Sequence, residues 1–366
     1  AHGAGNPERA HQVAYQGVLI ALVIGVAVLL LRPLAPHILG GLGAVGTLLD
    51  MGVSYFLIRL WGALPAFVSI AAFGYFQGLG DTKTPMRISV VANVINIGLD
   101  YVLIFGVGPV PALGVDGAAL ATAIAFSIQG LVGFGWLLHT TRSRWRIGLQ
   151  GTGEMLRLGL PIGVRYLLDV LSWAVFTGFI ARQGEIQLAA HVIAIRIVSV
   201  SFLPGHGIGE ATSILTGQAV GARNPAVARE ATRKAMHVGI GIMGLCGLAF
   251  FCFGAPIVGL FDPTVEVLQL GVSLLFIGAA FQLFDAVAMV KTGALNGAGD
   301  TRYVMVVSVL SSWLILVPLG YLALQSGWGA PGAWGVITMH IIVLAGLYRR
   351  RWEGPVPLER ALSGHT

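Results

Sequence analysis

"QGLGDTKTPM" (77–86) and "NGAGDTRYVM" (296–305) lie 219 residues apart and share the frame [QN]-G-x-G-D-T-[KR]. Two further blocks match at nearly the same displacement. "GAGNPERAHQVAYQG" (3–17) aligns with "GARNPAVAREATRKA" (221–235), displaced by 218, and "APHILGGL" resembles "APIVGLF" at a displacement near 220. Three matched blocks in one order identify an internal duplication.

The composition says what is duplicated. Of 366 residues, 56% are hydrophobic and only 10% are charged, with a mean hydropathy of +0.82, beyond what a water-soluble core requires. Apolar runs long enough to cross about 30 Å of hydrocarbon as helices fall at 13–32, 50–76, 86–106, 116–138, 156–181, 187–217, 235–260, 267–295, 303–323 and 332–348. Strands of a membrane barrel would be roughly ten residues long and would alternate, so the fold is read as all-α and polytopic. Abundant Gly and Ala inside the runs suits close helix packing in lipid.

Basic residues set the orientation. Arg9, then Lys83 and Arg87, then Arg142, Arg144, Arg146 and Arg157, then Arg223, Arg229, Arg233 and Lys234, then Arg302, and finally Arg349 to Arg351 mark every other connection. "PHILGGLGAVG", "GVGPVPALGV" and "LFDPTVEV" between them carry no Lys or Arg. The positive-inside rule places both ends of the chain in the cytoplasm, as a multi-pass protein of the cell inner membrane. The net charge of +6 then describes loops facing anionic lipid, and no nucleic-acid partner is expected. Cys246 and Cys252, six apart in one span, lie on different helix faces and read as packing residues. There is no Walker loop, H-E-x-x-H or G-x-S-x-G, so an enzyme is not expected.

Four spans follow "GAGNP" and four follow "GARNP", but two more precede the second phrase and none the first. The expectation is a chain lacking two helices of a twelve-helix protein. Its domains are an amino-terminal lobe of four helices (1–138), a cytoplasmic linker (139–153) containing "SRWRIG", a six-helix carboxyl-terminal lobe (154–350) and a cytoplasmic tail (351–366). Equal sidedness of the copies implies parallel repeats around a central cavity.

These motifs resemble the multidrug and toxic compound extrusion (MATE) transporters of the MOP superfamily: "GAGNPERA" and "GQAVGARNPAVA", "GYFQGLGDTKTP" and "GALNGAGDTRYV", and "LGLPIGVRYLLD" opening the second half. The resemblance covers essentially the whole chain. It implies a monomeric antiporter that exports small organic cations or drugs in exchange for H⁺ or Na⁺, with no cofactor beyond the coupling ion.

Physics indicates where coupling should reside. A carboxylate in hydrocarbon is costly and is relieved by binding a proton, a metal ion or a cationic substrate. Asp169 and Asp285 lie within spans; Asp100 lies near the outer end of its helix. Each has a plainer alternative: Asp169 is one turn from Arg165 and could be neutralised by it, and Asp100 could be solvated. The resemblance matches Asp169 and Asp285 to acidic coupling positions, with Na⁺ conceivable at both, although Phe281 stands where some relatives have Tyr and removes an oxygen ligand. Asn96 and Asp100, with Thr122 as a third match, resemble the amino-lobe site of proton-coupled members.

Trp173 is four residues after Asp169 and Phe281 four before Asp285, so each aromatic was placed beside an acid, where cation–π attraction to a lipophilic cation is available. Gln282 and Asn93 join them as expected cavity residues. Glu210, in "PGHGIGEATS" where Pro204 and the glycines should break or kink the helix, and Arg196 read as packing or gating residues. His191, His206 and His340 read as isolated, hydrogen-bonded side chains. Pro65, Pro161 and Pro318 should kink or open their helices. The alternative functions are a flippase for lipid-linked sugars, which calls for a basic cavity, and a membrane-embedded enzyme, which calls for a nucleophile or metal cluster.

Overall fold

The computed structural model describes residues 1–41, 45–141 and 151–354. Most of the expected linker, "SRWRIG" included, and most of the expected tail lie outside those residues. Ten helical spans among the described residues are long and apolar enough to cross a membrane. The chain divides into two compact units, Ala1–Thr152 and Gly153–Thr366.

The first unit contains α1 (Pro7–Leu29), α2 (Ala35–Gly41), α3 (Thr47–Gly78), α4 (Lys83–Phe105) and α5 (Gly114–Thr140). The sequence reading took residues 36–46 as a connection. Instead α2 prolongs the first span and packs back on α3, with Leu39 lying over Gly52. Ala10, Ala14 and Val18 of α1 meet Val68, Ala72 and Phe76 of α3 in this unit's core, and the Tyr15 hydroxyl is hydrogen-bonded to that of Thr141.

The second unit contains α6 (Thr152–Ala181), α7 (Glu185–Gly221), α8 (Pro225–Gly259), α9 (Val265–Gly297), α10 (Thr301–Ser311), α11 (Val317–Gln325) and α12 (Gly329–Glu353). The last helix runs past the expected end at 348. Its final turn is held by an ion pair of Arg351 Nε with Asp300 Oδ2 at 2.7 Å, and the same guanidinium lies over Tyr303. Helix α9 is central, packed by α7, α8 and α12. Phe176, Leu274, Phe281 and Trp334 are buried together, and Trp334 Nε1 donates to His191 Nδ1 at 3.1 Å.

The repeated phrases are helix caps. Asn6 and Asn224 adopt nearly the same backbone (φ −110°, ψ 87° and φ −117°, ψ 85°), each just before a helix-starting proline. Their side chains accept from Arg9 N at 2.9 Å and from Val227 N at 3.2 Å. Such a cap is worth about 1 kcal/mol, and proline at the first position costs no hydrogen bond. In the G-D-T phrases, Gly80 and Gly299 take φ of +87° and +80°. The next amides, of Asp81 and Asp300, close back on Phe76 O and Leu295 O, both at 2.9 Å. There the copies diverge. The Asp81 carboxylate caps α4 and is held below the usual carboxylate range by the hydroxyl and amide of Thr84 and the amide of Lys83, whereas Asp300 holds the end of α12.

Helix α7 is continuous across Pro204, so of the break or kink expected there no break occurs. Gly205 and Gly209 seat it against Met289 of α9, and this packing carries the helix past the missing amide. Elsewhere helices do open: Phe253, three residues before Pro256, is non-helical (φ −121°, ψ 21°), and a π-turn at Ser312–Leu316 precedes Pro318.

At the α7–α9 crossing a Cβ on Gly293 would run into the Gly209 carbonyl. Gly293→Val is therefore expected to cost about 1–3 kcal/mol or more and to lower the melting temperature of the detergent-purified protein. Gly241→Ala, where a Cβ meets no atom within 4 Å, should leave it unchanged. Equal behaviour of the two variants would contradict the close crossing.

Candidate functional site

Five helices of the second unit place polar side chains around one cavity of about 270 Å³. Asp169 of α6 enters it with Arg165 a turn below. Across from α6, α10 and its π-turn present Ser308 and Ser312, one turn apart. Ser308 Oγ donates to Asp169 Oδ1 and Oδ2 at 3.1 Å each, and Ser312 Oγ approaches Oδ1 at 3.4 Å. No ion pair joins Arg165 to Asp169. The guanidinium instead lies 4.8 Å above the Tyr166 ring, with its Nε buried and unpartnered. The guanidinium thus acts on Asp169 at a distance and not through a direct pair within the helix.

Asp285 of α9 lines the same cavity in a different setting. The residue is 8% exposed, and its Oδ2 is buried with no hydrogen-bond partner. From α7 come His206 and Glu210, both exposed to the cavity, and from α12 comes His340, whose Nδ1 is 2.8 Å from Ser311 Oγ. Three carboxylates and one guanidinium give the lining an acidic balance. Such a space attracts a cation, while its low-dielectric walls amplify the field of each charge.

The other sequence-predicted residues fall in several places. Trp173 lines the cavity and stands edge-on to Phe176. Phe281 is 2% exposed, packs on Trp334 and does not line the cavity. Gln282 is fully buried and donates to Ser201 Oγ at 2.6 Å. In the first unit, Asn93 is exposed and donates to Ser89 O at 2.8 Å, while Thr122 donates to Ala118 O of its own helix at 2.9 Å. Asn96 and Asp100 are half-buried, and Asn96 Nδ2 is buried without a partner. No hydrogen bond joins these four residues among the described ones.

Glu210 and His206 were discounted one by one in the sequence, yet with Ser213 they form an i, i+4, i+7 stripe, a spacing that marks one helix face. Ser308 and Ser312 carry the same signal. Arg196 is exposed, not packed. His191 and His340 are hydrogen-bonded as expected, and both cysteines are free thiols. Among the described residues no three of His, Cys, Asp or Glu come together as a metal site.

The MatE family model matches residues 1–102 and 161–322. A probable multidrug resistance protein NorM of Pseudomonas aeruginosa is 35% identical over 90% of this chain and 70% of its own length. Another, of Bradyrhizobium diazoefficiens, is 30% identical over 96% and 78% respectively. A MATE protein solved in a bent conformation shares the fold at a TM-score of 0.87, with 23% identity over 99% of this chain and 82% of that one.

The two aspartates make opposite stability predictions. Asp285→Asn removes an unpartnered buried charge and is expected to stabilise by about 1–3 kcal/mol at pH 9. Asp169→Asn loses charge-assisted bonds from Ser308 and is expected to destabilise by a similar amount. Thermal unfolding in detergent reads both; shifts of one sign would show that the two environments do not differ in this way.

Proposed function

The chain belongs to the MATE transporter family, and from that premise we propose that it is a multidrug efflux protein, a secondary antiporter that exports organic cations in exchange for H⁺ or Na⁺. The observation that supports this most is the single cavity shared by Asp169, Asp285 and Glu210. A cation entering it finds carboxylates already desolvated on one side, so substrate and coupling ion relieve the same electrostatic cost and compete for it. That competition is what obligatory exchange needs. Trp173 offers a ring face at the same cavity, worth about 0.5–2 kcal/mol to a lipophilic cation.

Asp285, with its buried unpartnered oxygen, is assigned the principal coupling role. A proton suits it well, since a single carboxylate can carry one with no further ligand. Asp169, already supplied with hydroxyl donors, is assigned the substrate-facing charge. The family and the basic loops together support insertion in the inner membrane with both described ends cytoplasmic.

Export of a fluorescent organic cation from proteoliposomes, under pH and Na⁺ gradients imposed separately, tests the proposal. Asp285→Asn is expected to abolish coupled export at unchanged membrane abundance, because the amide keeps shape and hydrogen bonding but exchanges no charge. Asp169→Asn should reduce it. Wild-type export by Asp285→Asn protein would end the coupling assignment, and the gradient that drives the wild type identifies the ion.

A further inference from the structure

A second cavity in the same unit, of about 340 Å³, lies where the first turns of α8 meet the last turns of α9 and α12. Its walls include Arg229, Arg233 and His237 of α8, Lys291 of α9, and Trp352 and Glu353 of α12. Lys291 is the informative residue. Only 9% of it is exposed, yet among the described residues no hydrogen bond or ion pair engages its ammonium. The one carboxylate of the cavity, Glu353, is already held by Arg349 Nε at 2.9 Å. Three basic side chains, Arg229, Arg233 and Lys291, therefore face one acid that already has a partner. An unpaired ammonium on a side chain this little exposed is costly, and an anion in the cavity would offset that cost.

Further along α8 the basic stripe gives way to apolar surface on the same face. From His237, helical spacing leads through Ile240, Gly241 and Gly244 to Leu248; Ile240 and Leu248 are exposed, the space over Gly241 is open, and Leu283 of α9 lies against Gly244. The stripe from Arg229 to His237 spans about 12 Å along the axis, and Lys291 lies about 9 Å from the end of α9. This is the depth of a headgroup region, with hydrocarbon beyond it.

We propose that this cavity binds the phosphate of an anionic phospholipid, with Arg229, Arg233 and Lys291 around the headgroup and an acyl chain along the apolar face of α8 at Ile240, Gly241 and Leu248. The membrane side follows from the topology proposed above: these residues share the cytoplasmic, anionic-lipid-rich face. The site stands apart from the coupling cavity, and its test does not depend on transport.

The full chain in zwitterionic detergent is titrated with dioleoylphosphatidylglycerol, with dioleoylphosphatidylcholine, and with soluble glycerol 3-phosphate, and the melting temperature is followed. Phosphatidylglycerol is expected to raise it saturably, and the other two should not. Lys291→Met and Arg233→Gln should each weaken the phosphatidylglycerol midpoint about fivefold or more. Lys234→Gln, an exposed neighbour outside the cavity, should not change it. Equal midpoints for Lys291→Met and wild type would overturn the site, as would equal response to phosphatidylcholine. Saturation by glycerol 3-phosphate at the same concentration would make it a site for free phosphate and overturn the lipid assignment.

Discussion

The second unit depends on one close contact, the crossing of α7 over α9 where Gly209 meets Gly293 and no side chain fits between the backbones. Lipid gives helices no hydrophobic reason to associate, so contact of this kind has to come from dispersion and from backbone proximity. The crossing sits beside the chemistry. Glu210 follows Gly209 directly, and Asp285 lies two turns before Gly293, so the contact that joins the helices also fixes two of the three acids relative to each other. A bulkier residue at either glycine would part the helices and open the cavity wall together.

The same lipid environment explains why the acids are not equivalent. In hydrocarbon an unsatisfied polar group costs several kcal/mol, and helices ordinarily answer with hydroxyls or paired charges. Asp169 receives that answer from Ser308 and Ser312, presented by a stretch where α10 widens into a π-turn ahead of Pro318. Asp285 receives none at its buried oxygen. An acid stabilised as an anion and another left to find its own partner respond differently to an arriving cation or proton. The proposed division of labour rests on that difference, and so on the local opening of α10 as much as on the carboxylates.

The periodic features were legible in the sequence: ten apolar runs, a duplicated order of caps and turns, and acids placed within spans. The caps show why the repeat could be read. Asn6 and Asn224 do the same work on the same backbone, and a local interaction leaves a local signature. What could not be read was tertiary. Phe281 and Gln282 lie one turn before Asp285, on nearly the same face of α9, yet they meet Trp334 and Ser201 in the core, because one face of a helix meets different neighbours at successive turns. Glu210 seemed incidental among glycines because the partners that give it meaning, on α6 and α9, are distant in sequence. Arg165 and Asp169 have the spacing of an ion pair and form none: the carboxylate takes the hydroxyl of Ser308 from α10, and the guanidinium lies over Tyr166.

Duplication also explains where the copies parted. Both G-D-T turns keep the positive-φ glycine and the same backbone closure, which depend on geometry within a few residues. Their aspartates answer to surroundings. Asp81 has free amides ahead of it and caps the next helix; Asp300 has the guanidinium of Arg351 across from it and anchors the end of α12 instead. That anchor positions Trp352 and Glu353 at the mouth of the basic cavity. An aspartate that pairs with Arg351 where its counterpart caps a helix thus shapes a wall of the cavity around Lys291, in the unit that also carries the acidic site.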